Sequence, residues 1–197
     1  MNINAQKPSE IKVGDFVLKQ IPATEEYAKQ IFDIFHEDPD GFKYWMEYGL
    51  YKDVDEVLEE YKHKYEDKGF CKYAMYGIFK KDELLGEIGL GCIYTRRQTA
   101  EVGWWLRKSA RGQGIIDKLL PIIEKLAFET YALHKLTIWT DKENIASQKH
   151  AEKHGYVYEG CLREENTWPD GTHHSTVLYG KLKSEWQMQS GGFLQEK

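Results

Sequence analysis

The sequence predicts a single α/β domain organised around a mixed, mostly antiparallel central sheet. Three observations carry that prediction. Lys72 to Leu106 alternates strand-like runs with short polar turns, the pattern of an antiparallel meander. Gln113 to Tyr131 switches to helical spacing, with apolar residues at 115, 116, 119, 120, 122, 123, 126 and 127. No internal repeat, low-complexity block or inter-domain linker interrupts the 197 residues, a length that suits one domain.

The elements follow in order. Residues 1–14 are polar and read as a poorly ordered lead-in, with the domain running over 15–183 and a tail over 184–197. Phe16 to Ile21 reads as a strand. Glu25 to Phe35 reads as a helix from the spacing of Tyr27, Ile31, Ile34 and Phe35, capped by Thr24. Asp38-Pro39-Asp40-Gly41 is turn chemistry, and Phe42 to Tyr51 is aromatic-rich. Val54 to Tyr65 is a second amphipathic helix. The meander comprises Lys72 to Phe79, Leu84 to Tyr94 and Thr99 to Leu106. In the long helix that follows, Pro121 predicts a bend. Lys135 to Thr140, Tyr156 to Asn166 and His174 to Leu182 read as strands, with a short helix at Ile145 to His154 and a turn at Pro169-Asp170-Gly171.

Composition excludes several function classes. Lys plus Arg total 27 against 32 Asp plus Glu, a net charge of -5 with no basic stripe, which argues against nucleic-acid binding and mildly favours a cationic partner such as an amine. No apolar run is long enough for a membrane span, and the first thirty residues lack the pattern of a secretion signal. Cys71, Cys92 and Cys161 are scattered and odd in number, which predicts free thiols in a reducing cytoplasm and neither disulfides nor a zinc site. His173 and His174 are adjacent on a strand and face opposite ways, so no metal site is expected from them.

The richest stretch is Trp104-Trp105-Leu106-Arg107-Lys108-Ser109-Ala110-Arg111-Gly112-Gln113-Gly114-Ile115. A strand runs into a glycine-rich turn that opens a helix, so unpaired backbone N–H groups collect where the helix dipole is positive. Such a turn suits an anionic phosphate. Gly112 and Gly114 let the backbone approach a ligand closely, and Arg111 can add charge. A plain helix start behind a glycine loop is the bland alternative. Neither a Gly-Lys-Ser/Thr ending nor a G-x-G-x-x-G pattern is present.

Arg111-Gly112-Gln113-Gly114-Ile115-Ile116 resembles the Arg/Gln-x-x-Gly-x-Gly/Ala signature of the GNAT acetyltransferase superfamily, with Ile116 in place of the small last residue. The element order from Lys72 to Leu182 is similar to that family's sheet. The resemblance implies a GNAT fold whose sheet splays at the cofactor site, and acetyl-CoA as cosubstrate without a metal. It further implies a bulge near Trp105 and Leu106, a pantetheine arm paired along that strand, and an oxyanion-stabilising N–H near Leu106. The implied cofactor contacts are Trp105, Leu106, Arg107, Arg111, Gly112, Gln113, Gly114, Ile115, Ile116, Asn144 and Ser147.

Downstream, Asn144-Ile145-Ala146-Ser147, Lys153-His154-Gly155-Tyr156 and Glu159-Gly160-Cys161-Leu162-Arg163 resemble the RimJ/RimL-like branch, which acetylates ribosomal-protein N-termini. Many other members carry Ala three residues and Tyr seven residues after the Asn, where this chain has Ser147 and Ala151. The tyrosine that protonates the leaving thiolate is therefore absent, and Ser147 is the implied substitute. Asn144 is also a natural helix cap. The resemblance implies a glutamate base just beyond the Glu-Gly-x-Leu-Arg strand, Glu165 first and Glu164 second, in a loop about one residue longer. A solvated charged pair is the bland reading. The expected acceptor is a protein N-terminal amine, with a polyamine or aminoglycoside as alternative, by direct attack in a ternary complex. A catalytically silent acyl-CoA-binding regulatory domain, acting through a homodimer surface, is the rival of another class.

Overall fold

In the computed structural model, residues 8–43, 50–64 and 72–192 are described. Among these residues, eight strands form one sheet in the order β1-β2-β3-β4-β5-β6-β8-β7. They are β1 Glu10–Val13, β2 Phe16–Lys19, β3 Lys72–Lys80, β4 Glu83–Tyr94, β5 Thr99–Leu106, β6 Lys135–Asp141, β7 Val157–Thr167 and β8 His173–Leu182. Every neighbouring pair is antiparallel except β5 and β6. That one parallel pair is joined by the long helical crossover, as parallel neighbours require.

Helices cover both faces. On one face lie α1 Glu25–Glu37, α2 Pro39–Phe42 and α3 Val54–His63, around Ile21, Ile31, Phe35, Phe42, Val57, Phe79 and Trp105. On the other lie α4 Ile115–Lys125, α5 Ile145–Lys153 and α6 Lys183–Gly192, where Leu119, Leu120, Ile123 and Ala151 meet Leu90, Val102, Leu136, Ile138 and Tyr179. Thr24 caps α1 through Tyr27 N–H and Asp53 caps α3 through Glu56 N–H, each satisfying an orphan donor of the first turn.

The structure departs from the sequence reading at three places. Residues 10–13, expected to be an unstructured lead-in, form β1 on the edge of the sheet, with Ile11 and Val13 resting on the core. Residues 183–192, expected to be tail, form α6, and Trp186 lies 5.3 Å from Phe128. The long helix is α4 as far as Lys125 and then a π-helical turn, Leu126–Thr130. Of the aromatic stretch, residues 44–49 lie outside the described residues, as does Cys71. Cys92 and Cys161 are free thiols.

Candidate active site

Where β5 leaves β6, the sheet opens. Their registered pairs stop at Glu101↔Thr137, while β5 stays paired to β4 as far as Leu106↔Gly86. Arg107 N–H donates to Leu85 O at 2.9 Å, which fixes the phase of that ladder. Because antiparallel backbone groups alternate sides, Val102, Trp104 and Leu106 turn their N–H and C=O toward the space β6 has vacated. A cleft of about 670 Å³ occupies this gap and runs to the glycine turn.

The expected bulge near Trp105 and Leu106 is not there: pairing from Glu101 to Leu106 is regular. The bulge lies instead on β4, which takes three steps from Gly91 to Tyr94 against two on β5, with Cys92 at φ 41°. The splay comes from β6 turning away, and it needs no irregularity in β5.

The glycine turn has the conformation its sequence suggests. A 3-10 turn, Lys108–Ala110, precedes it; Gly112 and Gly114 have φ 71° and 67°, and no side chain caps α4. Trp105, Leu106, Arg111, Gly112, Ile116, Asn144 and Ser147 all line the cleft. Ile116 is 3% exposed and packs into the core as well. Arg107, Gln113, Gly114 and Ile115 do not line it: Arg107 reaches Glu83 at 2.7 Å, and Gln113 folds back onto Ser109 O. Asn144 caps α5, its Oδ1 accepting from Ser147 N–H at 3.2 Å.

Glu164 and Glu165 are exposed and stand outside the cleft. Between Leu162 and Asn166, β7 takes four steps against two on β8, which pushes Arg163 to Glu165 out toward solvent. Glu164 sits at φ 52°, with its N–H on Ser175 Oγ. Among the described residues, the carboxylates that do face the cleft are Asp40, Glu101 and Asp117. Asp117, in the first turn of α4, binds Lys153 at 2.7 Å, His150 at 3.0 Å and His154 at 3.1 Å. Burial pushes its carboxyl up, but the hydrogen bonds from Lys153, His154 and His150 outweigh this and hold it well below the usual carboxylate range.

Trp105 is held from behind. Its Nε1 donates to Glu87 Oε2 at 3.2 Å, and Lys64 lies 2.7 Å from the same carboxylate, which is fully buried. Trp139, Lys149, His150 and Lys153 also line the cleft. For the three on α5 the sequence carries a signal: positions 146, 149, 150 and 153 share helical spacing with Ser147; Trp139, on β6, carries none. Elsewhere His173 meets Thr167, while His174 bonds Asp141 at 2.9 Å, and Asp141 also accepts from Glu143 N–H.

An acetyltransferase (GNAT) domain model matches residues 18–157. The chain belongs to the GNAT family. It is 36% identical over 115 residues to the Escherichia coli (strain K12) ribosomal-protein-serine acetyltransferase, covering 58% of this chain and 63% of that protein. It is 24% identical over 176 residues to the uncharacterized N-acetyltransferase YoaA of Bacillus subtilis (strain 168), covering 88% of this chain and 96% of that one. Among solved structures, the ribosomal L7/L12 alpha-N-protein acetyltransferase RimL in complex with coenzyme A superposes with a TM-score of 0.73 at 21% identity, covering 89% of this chain and 99% of that one. At that identity the GNAT likeness is one of fold.

Proposed function

We propose that the chain is an acetyl-CoA-dependent N-acetyltransferase acting on a protein N-terminal amine, with a ribosomal protein as the acceptor. The observation that carries this reading is the open backbone edge of β5 beyond Glu101, which leads directly into the Gly112–Gly114 turn. An extended pantetheine arm suits such an edge as an added strand would, and a diphosphate suits the turn. The names of the E. coli relative and of RimL supply the acceptor class. A cytoplasmic site of action follows from a ribosomal acceptor.

In this mechanism the amine nitrogen attacks the thioester carbonyl carbon. The Leu106 N–H, turned to the open edge, stabilises the oxyanion. As the C–S bond breaks, Ser147 gives a hydrogen bond or proton to the departing sulfur. We assign the amine's proton to Glu101, directly or through water. Glu101 shares a sheet face with Trp105 and belongs to the last registered pair before the strands part. Asp117 is engaged by Lys153, His150 and His154.

The test is coenzyme A release from acetyl-CoA with ribosomal-protein N-terminal peptides starting Ser or Ala, the same peptides Nα-blocked, and spermidine. Turnover with the free N-terminus alone is expected; turnover with spermidine alone moves the acceptor to a small amine. Coenzyme A binding without turnover leaves a silent binding domain, and no calorimetric affinity for coenzyme A or acetyl-CoA ends the reading. Glu101→Gln should lower kcat about 100-fold, the lower end of the range for a general base, while Glu165→Gln stays within about threefold. The reverse order would return the base to β7.

A further inference from the structure

Arg111 stands at the head of the glycine turn, yet its charge is already matched. Its Nη1 donates to Asp38 Oδ2 at 2.5 Å, its Nε donates to Leu106 O at 2.9 Å, and its guanidinium lies 5.0 Å from the centre of the Phe42 ring. Asp38 is 8% exposed and sits at the N-cap of α2. An aspartate there ordinarily accepts from its own helix, but Asp38 makes no such bond. Its two oxygens go to the cofactor turn instead, the second lying 3.5 Å from Lys108 Nζ. The ion pair also claims the space beside Gly41: a Cβ there would fall 2.0 Å from Asp38 Oδ2 and 2.1 Å from Arg111 Nη1.

What the pair fastens is a wall of the cleft. Asp40, Gly41 and Phe42 line it from α2, and Arg111 and Gly112 line it from the turn. Phe42 stacks on Phe35 at 4.0 Å and meets the Trp105 ring edge-on at 6.0 Å, so the α2 wall is continuous with β5, the strand that borders the cleft.

We propose that Asp38 is a positioning residue: through Arg111 it ties the acceptor-side wall, α2, to the turn that takes the diphosphate. Arg111 then serves as a clasp, and the anion is held by the backbone N–H groups of the turn. This rests on the reading of the cleft as an acetyl-CoA and amine site, but one of its tests does not.

That test is hydrogen exchange on the full chain without ligand. Asp38→Asn and Arg111→Gln should each raise exchange across residues 38–43 about tenfold, as a lost local closure does. Unchanged protection in either variant overturns the clasp, whatever the activity. In steady-state assays with the acceptor peptide, Asp38→Asn should raise acceptor KM about tenfold with kcat and calorimetric coenzyme A affinity within about threefold. Gly41→Ala, which keeps both charges, should reproduce that KM shift. The Asp38→Asn/Arg111→Gln double variant should raise acceptor KM no further than Arg111→Gln alone, because both remove one interaction. Effects that multiply, or a coenzyme A affinity that falls along with acceptor KM in Asp38→Asn, would show separate roles and overturn the proposal. Wild-type protein that fails to turn over defeats the enzyme reading and leaves the exchange result to judge the clasp.

Discussion

Ser147 and Asn144 are joined by a hydrogen bond that makes one the capped residue of the other. A cap that also lines the cleft fixes α5 and Ser147, the leaving-group donor we propose, together. Ser147→Ala removes the hydroxyl and keeps the capped N–H. We expect kcat to fall about 10–100-fold with coenzyme A affinity unchanged, measured by single-turnover kinetics and calorimetry. Asp117 is a residue whose chemistry only its neighbours define. Its folded carboxyl sits below its ordinary value, so its stabilising contribution is present above the unfolded pKa and is lost as pH falls through the folded one. The melting-temperature gap between wild type and Asp117→Asn should therefore persist down to about pH 4 and close only in stronger acid. A gap that closes at mildly acidic pH would contradict this. Both residues lie at helix starts, where a cap signal or an acidic first turn is readable in sequence. That His150 and His154 come from another helix to meet Asp117 is not.

At the scale of elements, α4 and β8 are pinned by a buried ion pair. Lys181 Nζ lies 3.1 Å from Glu124 Oε2 and 2.7 Å from His154 O, with the two side chains 2% and 4% exposed. Burial pushes Glu124 up from the usual carboxylate range, and Lys181 pulls it partly back. Removing one partner strands the other charge in the interior. Lys181→Met should cost about 3–5 kcal/mol in denaturant unfolding, and Lys181→Met/Glu124→Leu should recover much of that. Equal loss in the double variant would mean the site needs the charges themselves. The strands and helices that surround this pair follow the sequence periodicity closely, since alternation and 3.6-residue spacing are local properties. The departures lie at the two ends. Ile11 and Val13 pair with β2 across the two-residue Gly14-Asp15 turn, a local hairpin, whereas α6 packs through Trp186 on the distant Phe128.

For the whole molecule, the cleft exists because one parallel pair of strands separates while helices on both faces hold its walls. A ligand that fills it should stabilise the folded state by mass action. Coenzyme A at about 100 times its Kd should add about 2.7 kcal/mol. For a chain of this size that raises the melting temperature by about 5–10 °C. No shift in a thermal melt at that concentration would show that the cleft does not take the cofactor. The order of elements from β3 to β8, the glycine turn and the helix cap of α5 are legible along the chain, because each depends on residues a few positions apart. The family is legible too, through motifs that are themselves local. Which carboxylates face the cleft is settled by folding alone. Glu165 stands outside because β7 takes extra residues against β8, and Glu101 faces in because β6 turns away beside it. Arg111 likewise reads in sequence as a free cation, and becomes a clasp only when folding brings Asp38 to it. Charge–charge partnership between distant segments is set by three-dimensional distance, and spacing along a chain carries no record of it.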